Sequence, residues 1–182
     1  MRNETERLAE FGEFAVARQQ HLLRTAYLLC GDWHDAQDLA QTALTNLCYA
    51  WHQARRADSL DDYAHRILIN AYLSRRRKLG RERQTWAGID PSVPSSDQPE
   101  LRLTLLAALA ELPRKGRAVL VLRFWHDLSV EATAAIIGCS TGTVKSQTSR
   151  ALAKLRVVLG DSLTDFEPRG LDTGVRRGTD HD

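Results

Sequence analysis

Wherever the apolar residues of this sequence follow a pattern, the spacing is three or four residues, the period of an α-helix, and no stretch alternates as a strand would. Over residues 8–30, Phe11, Phe14, Leu22, Ala26 and Leu29 mark one helical face, with Arg18 snorkelling from it. Gly31 is placed to end that helix. Asp32 is placed to cap the next, with Asp35 in its first turn. This second helix is expected to reach about residue 53, burying Ala36, Leu39, Ala40, Ala43, Leu47, Ala50 and Trp51. Ser59 and Asp62 resemble a capping box for a third helix with the stripe Ala64, Ile67, Leu68, Ala71 and Tyr72, ending near Gly80.

The composition then changes. Pro91, Pro94 and Pro99 fall among serines and aspartates, which reads as a linker over residues 81–100. Helical patterning resumes over residues 101–159, and a polar tail with Gly170, Gly174 and Gly178 follows over 160–182, expected to be disordered. The fold expected is all-α: two small helical domains, residues 8–80 and 101–159, joined by a flexible linker, the C-terminal one a helix-turn-helix. Each is near the lower size limit for an independent core.

The helix-turn-helix lies in LSVEATAAIIGCSTGTVKSQTSRALAKLR, residues 128–156. Ser129 can cap a short helix burying Ala132, Ala135 and Ile136, Gly138 can make the turn, and Ser140 can cap a second helix with Val144, Ala151, Leu152 and Leu155 inward. Its other face offers Thr141, Thr143, Lys145, Ser146, Ser149 and Arg150. Short hydroxyl side chains allow close approach to a groove, and cations hold phosphates or guanine edges. The net charge of +2, from 25 basic and 23 acidic side chains, hides a segregation. Basic clusters at residues 75–83 and 145–156 stand apart from acidic ones at 32–38 and 58–62, which suggests two kinds of partner. Asp38, Gln41, Thr42 and Thr45 share one helix face, distinct from the apolar stripe; it would repel phosphate and suits a basic protein surface.

These segments resemble a known family. LPRKGRAVLVLRFWHDLSVEATAAIIGCSTGTVKSQTSRALAKLR, from Leu112, is similar to the C-terminal domain of bacterial sigma factors, which reads the promoter −35 element. DAQDLAQTAL, residues 35–44, resembles the helix by which they dock on polymerase. YAHRILINAYLSRRRK, residues 63–78, resembles their −10-reading segment, with Arg66, Ile67 and Asn70 matching and with Tyr63 and His65 where the family usually has Trp and Tyr. Gln147 stands where it often has Arg. The resemblance covers residues 11–159, lacks the middle domains of larger members, and so points to the extracytoplasmic-function group of the sigma-70 family, of the sigma-E kind. It implies core RNA polymerase (the β′ clamp and the β subunit), promoter DNA and an anti-sigma factor as partners. It further implies polymerase contacts at Asp35, Asp38, Gln41, Thr42 and Thr45, and −10 contacts at Arg66, Asn70, Arg75, Arg76, Arg77 and Lys78. The −35 contacts would be Thr141, Thr143, Lys145, Ser146, Ser149 and Arg150. A regulator using only the helix-turn-helix is the alternative, but it leaves the docking and third helices unexplained.

No catalytic apparatus is visible, and neither a cofactor nor a metal is expected. His21, His34, His52 and His65, with Asp32, Asp35 and Asp38, lack ligand spacing, and there is no nucleophile–base pair or glycine-rich phosphate loop. Cys30, Cys48 and Cys139 form no CxxC pair and are expected in the core of a protein from a reducing cytosol. MRNETERLAE has no apolar signal core, and no run approaches the roughly 20 apolar residues that cross a bilayer. A cytoplasmic protein without membrane insertion is the expectation.

Overall fold

The computed structural model describes residues 4–75 and 99–160, the side chains of 99–103 excepted. Among the described residues all regular structure is helical. The linker, but for its last two residues, and the tail beyond Gly160 lie outside them, as do Arg76, Arg77 and Lys78.

The first half contains α1 (Glu4–Cys30), α2 (Trp33–Tyr49), the single turn α3 (Trp51–Ala54) and α4 (Leu60–Ser74). Its helix ends follow local chemistry. Gly31, at φ +74°, takes the left-handed conformation that stops α1. The Asp32 carboxylate accepts from the Asp35 N–H at 2.8 Å, and the Ser59 hydroxyl from the Asp62 N–H at 3.1 Å. The second helix is shorter than its pattern suggested. It breaks at Ala50, and α3 then turns Trp51 under Phe11 and Phe14, with ring centroids 5.5 Å away in both pairs. Arg18 does more than snorkel: its guanidinium pairs with Asp61 at 2.8 Å.

The second half contains α5 (Pro99–Ala110), α6 (Arg114–Leu120), a π-helical turn (Val121–Trp125), α7 (Val130–Ile137) and α8 (Thr141–Leu159). Leu109, Leu112, Leu120, Ala151, Leu155 and Leu159 form one core there. Val119, Ala134 and Val144 form another between α6, α7 and α8. In α7 the inward face is Thr133, Ala134 and Ile136; Ala135 is exposed and Ala132 half-buried, contrary to the sequence expectation. In a helix of mostly small residues the phase of burial is set by what packs on it, here Val144 of α8.

The two halves share a core. Ala118, Val121, Leu122 and Ile136 join Leu22, Leu29, Leu39, Leu47, Leu68 and Ile69 in one buried cluster. Polar ties reinforce the seam. Arg114 lies 4.5 Å over the Tyr72 ring and donates to the Arg75 carbonyl. Arg117, 8% exposed, donates to the Leu29 carbonyl at 2.6 Å. The cysteines are free and half-buried rather than deep in the core. Burial nonetheless pushes the Cys30 thiol up to about 11.

Candidate nucleic-acid interface

The C-terminal reader is built by two caps and one turn. Ser129 accepts from the Ala132 N–H at 3.0 Å and starts α7. Gly138, at φ +75°, ends it, a conformation that side-chain-bearing residues rarely adopt. Ser140 accepts from the Thr143 N–H at 3.1 Å and starts α8. Thr148 turns its hydroxyl back to the Val144 carbonyl at 2.8 Å and packs inward with Val144 and Ala151. That fixes the helix rotation. Thr141, Thr143, Lys145, Ser146, Ser149 and Arg150 are all left exposed on a helix whose sequence holds no acidic residue. Gln147 is half-buried, its amide oxygen beside Gly116 of α6, so it does not belong to that face.

The α2 face has the opposite chemistry. Asp38, Gln41, Thr42 and Thr45 are exposed. The Thr42 hydroxyl donates to the Asp38 carbonyl at 2.7 Å, and Thr45 to the Gln41 carbonyl at 2.9 Å. With their protons committed, both hydroxyl oxygens keep only acceptor capacity, on the same face as the Asp38 carboxylate. Apart from the Gln41 amide, which can also donate, the face offers acceptors, which suits a lysine- or arginine-rich protein surface. Asp35 is different: half-buried, it serves the seam between α2 and α4. Arg75 donates to the Asp35 carbonyl at 2.8 Å and brings its guanidinium to 3.9 Å from the Asp35 carboxylate and 3.7 Å from that of Asp38.

Arg75 is thus held against α2, whereas Arg66 and Asn70 are exposed together, one turn apart on α4. Beside them a shallow groove between α2 and α4 is lined by Thr42, Asn46, Ile67, Asn70, Ala71, Ser74 and Arg75. Asn46 and Ser74 were not singled out from the sequence; Ser74 follows Asn70 by one turn of α4, while only the packing of α4 on α2 brings Asn46 there. Tyr63 is half-buried, its hydroxyl 3.4 Å from the Gln53 amide oxygen.

A third cluster joins residues far apart in the chain. His21 of α1, His65 of α4 and His126 after the π turn present ring nitrogens within 4.8 Å of one another. His65 is 6% exposed, and burial holds it below the usual histidine range. His126 is pushed down to about 3 by burial and by the two neighbouring imidazoles.

A capped helix-turn-helix with a cationic, hydroxyl-rich second helix, on an all-helical body with a separate acidic face, defines a DNA-reading protein that also engages another protein. Family models place the chain further. Sigma-70 region 2 matches residues 15–82, and Sigma-70, region 4 matches residues 102–155. The RNA polymerase sigma-E factor of Streptomyces coelicolor is 39% identical over 169 residues, covering 92% of this chain and 94% of its own. That of Streptomyces avermitilis is 42% identical over 170 residues, with 92% and 93% covered. Among solved structures, the sigma factor RpoE of Bartonella quintana, in complex with the anti-sigma factor NepR, superposes with a TM-score of 0.69 at 27% identity. That match spans 84% of this chain and 98% of RpoE, more than either half alone. The chain belongs to the sigma-70 family, in its extracytoplasmic-function group. No helix among the described residues is long and apolar enough to cross a membrane.

Proposed function

We propose that this protein docks on core RNA polymerase through the Asp38–Gln41–Thr42–Thr45 face of α2 and selects promoters with two readers. Asp35 supports that face by anchoring Arg75 rather than by standing open to the partner. The exposed row of α8, from Thr141 to Arg150, enters the major groove at a −35 element. Arg66 and Asn70 of α4, with the groove beside them, meet unstacked bases of a −10 element. Arg76, Arg77 and Lys78 add phosphate contacts there, and Arg75 joins them on leaving Asp35. The domain limits 8–80 and 101–159 follow the same division. The protein works in the cytoplasm and catalyses nothing itself; the polymerase joins the nucleotides.

The observation that carries this reading is the presence, in one chain, of an acid-free basic helix face and an acceptor-rich acidic one. A regulator acting through DNA alone has no use for the second. Elements named −10 and −35 lie about 25 base pairs apart, or about 85 Å at 3.4 Å per step. A compact body of this size has a radius of gyration of only about 15 Å. The two halves therefore part when both elements are read, and an anti-sigma factor that keeps them together silences the protein. Run-off transcription with core polymerase on a promoter library tests the whole proposal. Start-site-selective transcripts dependent on this chain are expected, and their absence on every template refutes it.

A further inference from the structure

We propose that His21, His65 and His126 form a three-imidazole site for a divalent transition-metal ion, zinc above all, which ties the two halves of the chain together. The Nε2 atom of His21 and the Nδ1 atom of His126 are 3.3 Å apart. Two imidazole nitrogens each about 2.05 Å from a tetrahedral zinc ion stand about 3.35 Å apart, so this pair already has the required bite. Ligand nitrogens of all three rings lie within 4.8 Å of one another, and the His65 and His126 rings, 4.0 Å apart at their centroids, would have to swing apart to point both nitrogens at one ion. His65 contributes an independent sign, because its Nδ1 atom is buried with no hydrogen-bond partner. A protein does not ordinarily leave such a nitrogen unused.

The surroundings suit a metal. The Thr25 hydroxyl donates to the His21 carbonyl at 2.9 Å, so its oxygen is free to accept from the Nε2–H of His126, 3.0 Å away. That bond fixes the tautomer and leaves a lone pair on Nδ1, the atom facing His21. Metal-binding histidines are commonly oriented by a second hydrogen bond of this kind. His21 is the exposed member, so solvent could supply a fourth ligand from its side. Three neutral nitrogens favour zinc, nickel, cobalt or copper ions over magnesium or calcium.

The backbone is arranged for the same end. The π turn, closed by the His126 N–H on the Val121 carbonyl at 3.2 Å, ends the helix at His126 and turns its ring toward α1 and α4. Irregular turns of this type recur at functional sites. His21 and His65 belong to the region 2 match and His126 to the region 4 match, so one ion would bridge both. The site itself is independent of the promoter-reading proposal; its consequence, a metal latch on the closed arrangement, rests on it.

The test is zinc titration of the untagged full chain, stripped with chelator, followed by calorimetry. One equivalent should bind, and cobalt should give the visible bands of a tetrahedral site. His126→Gln should weaken zinc binding at least about tenfold, as losing even an outer-shell partner does. His21→Gln, at an exposed position that folding tolerates, should do the same, whereas His34→Gln on α2 should leave affinity unchanged. At one zinc concentration the Tm of the unaltered chain should rise more than that of His126→Gln. No saturable binding, or binding undiminished in both variants, overturns the site. Neither polymerase nor promoter is present, so failure here is distinct from failure in run-off transcription.

Discussion

Replacing Arg117 by methionine should destabilise this protein by about 2–4 kcal/mol, although no carboxylate pairs with it among the described residues. Its guanidinium donates to the Leu29 carbonyl at 2.6 Å, to Ala110 at 2.6 Å and, more weakly, to Leu112 at 3.4 Å. Leu29 lies in the last turn of α1 and Ala110 is the last residue of α5, where carbonyls have no helical partner. One cation thus satisfies two negative helix ends, one in each half. Methionine keeps most of the volume but leaves the buried Leu29 carbonyl unsatisfied, at about 1–3 kcal/mol, and removes the bond to the exposed residue Ala110, whose carbonyl water can reach, at about 0.5–1.5 kcal/mol. Relief of the cation's own burial offsets part of that loss. Arg117→Lys should cost less, about 1–2 kcal/mol, because an ammonium can still reach one carbonyl. Urea unfolding followed by circular dichroism reads both; with a slope of about 1.5 kcal/mol/M, the methionine variant's midpoint should fall by about 1.3–2.7 M. A loss under about 1 kcal/mol for Arg117→Met would show that the carbonyls find water instead, and would refute its role at the seam.

Asp38→Lys combined with Gln41→Ala should weaken binding to core polymerase while leaving the helical circular-dichroism signal unchanged; equal affinity in a pull-down or fluorescence titration counts against the α2 face. Lys145→Ala and Arg150→Ala should each weaken promoter binding and reduce the slope of log affinity against log salt by about 0.9. A slope that does not move removes the phosphate contacts. With its thiol at about 11, Cys30 carries only about three thiolates per ten thousand molecules at pH 7.5. Iodoacetamide should leave Cys30 unmodified in the folded chain and label it in urea, as peptide mass mapping would show; rapid native labelling contradicts its burial.

The helix-turn-helix was legible because its signals are local. Ser129, Gly138 and Ser140 act within three residues of their own positions, and all three do in the structure what their chemistry predicts. The outward face of α8 followed from the same caps. The ends of α2 and the burial phase of α7 were not legible, because they depend on Trp51 meeting Phe11 and Phe14, and on Val144 meeting α7. Arg75 read as one of a run of phosphate-binding cations, yet it folds back onto Asp35, 40 positions away. His21 and His65 were set aside for lack of ligand spacing, and His126 was not among the histidines weighed. His21, His65 and His126 are separated by 44 and 61 positions; the packing of α4 beside α1 brings the first two together, and the docking of the second half on the first adds His126. A spacing rule detects sites held by one element; it is blind to a site that three elements assemble.

The same docking sets the energy that activation must overcome. Val121, Leu122 and Ile136 are each no more than 3% exposed and contribute to the core that spans both halves. Burying each such side chain contributes about 1.5–3 kcal/mol, so parting the halves exposes apolar surface worth at most about 5–9 kcal/mol. Part of each side chain also packs within its own half, which lowers the figure. The polar ties add less, since the carbonyls of Leu29 and Arg75 lie at helix ends that water can reach once the seam opens. An opening cost of even about 5 kcal/mol leaves roughly one molecule in several thousand extended. A ligand that favours the open form must then bind it by about that factor more tightly. Polymerase docking on α2, as proposed, would keep both readers at high effective concentration once the halves have opened. The closed form is therefore the state from which a polymerase must draw this protein, and anything that adds even a few kcal/mol to the seam, whether a partner chain or a metal ion, would hold it back.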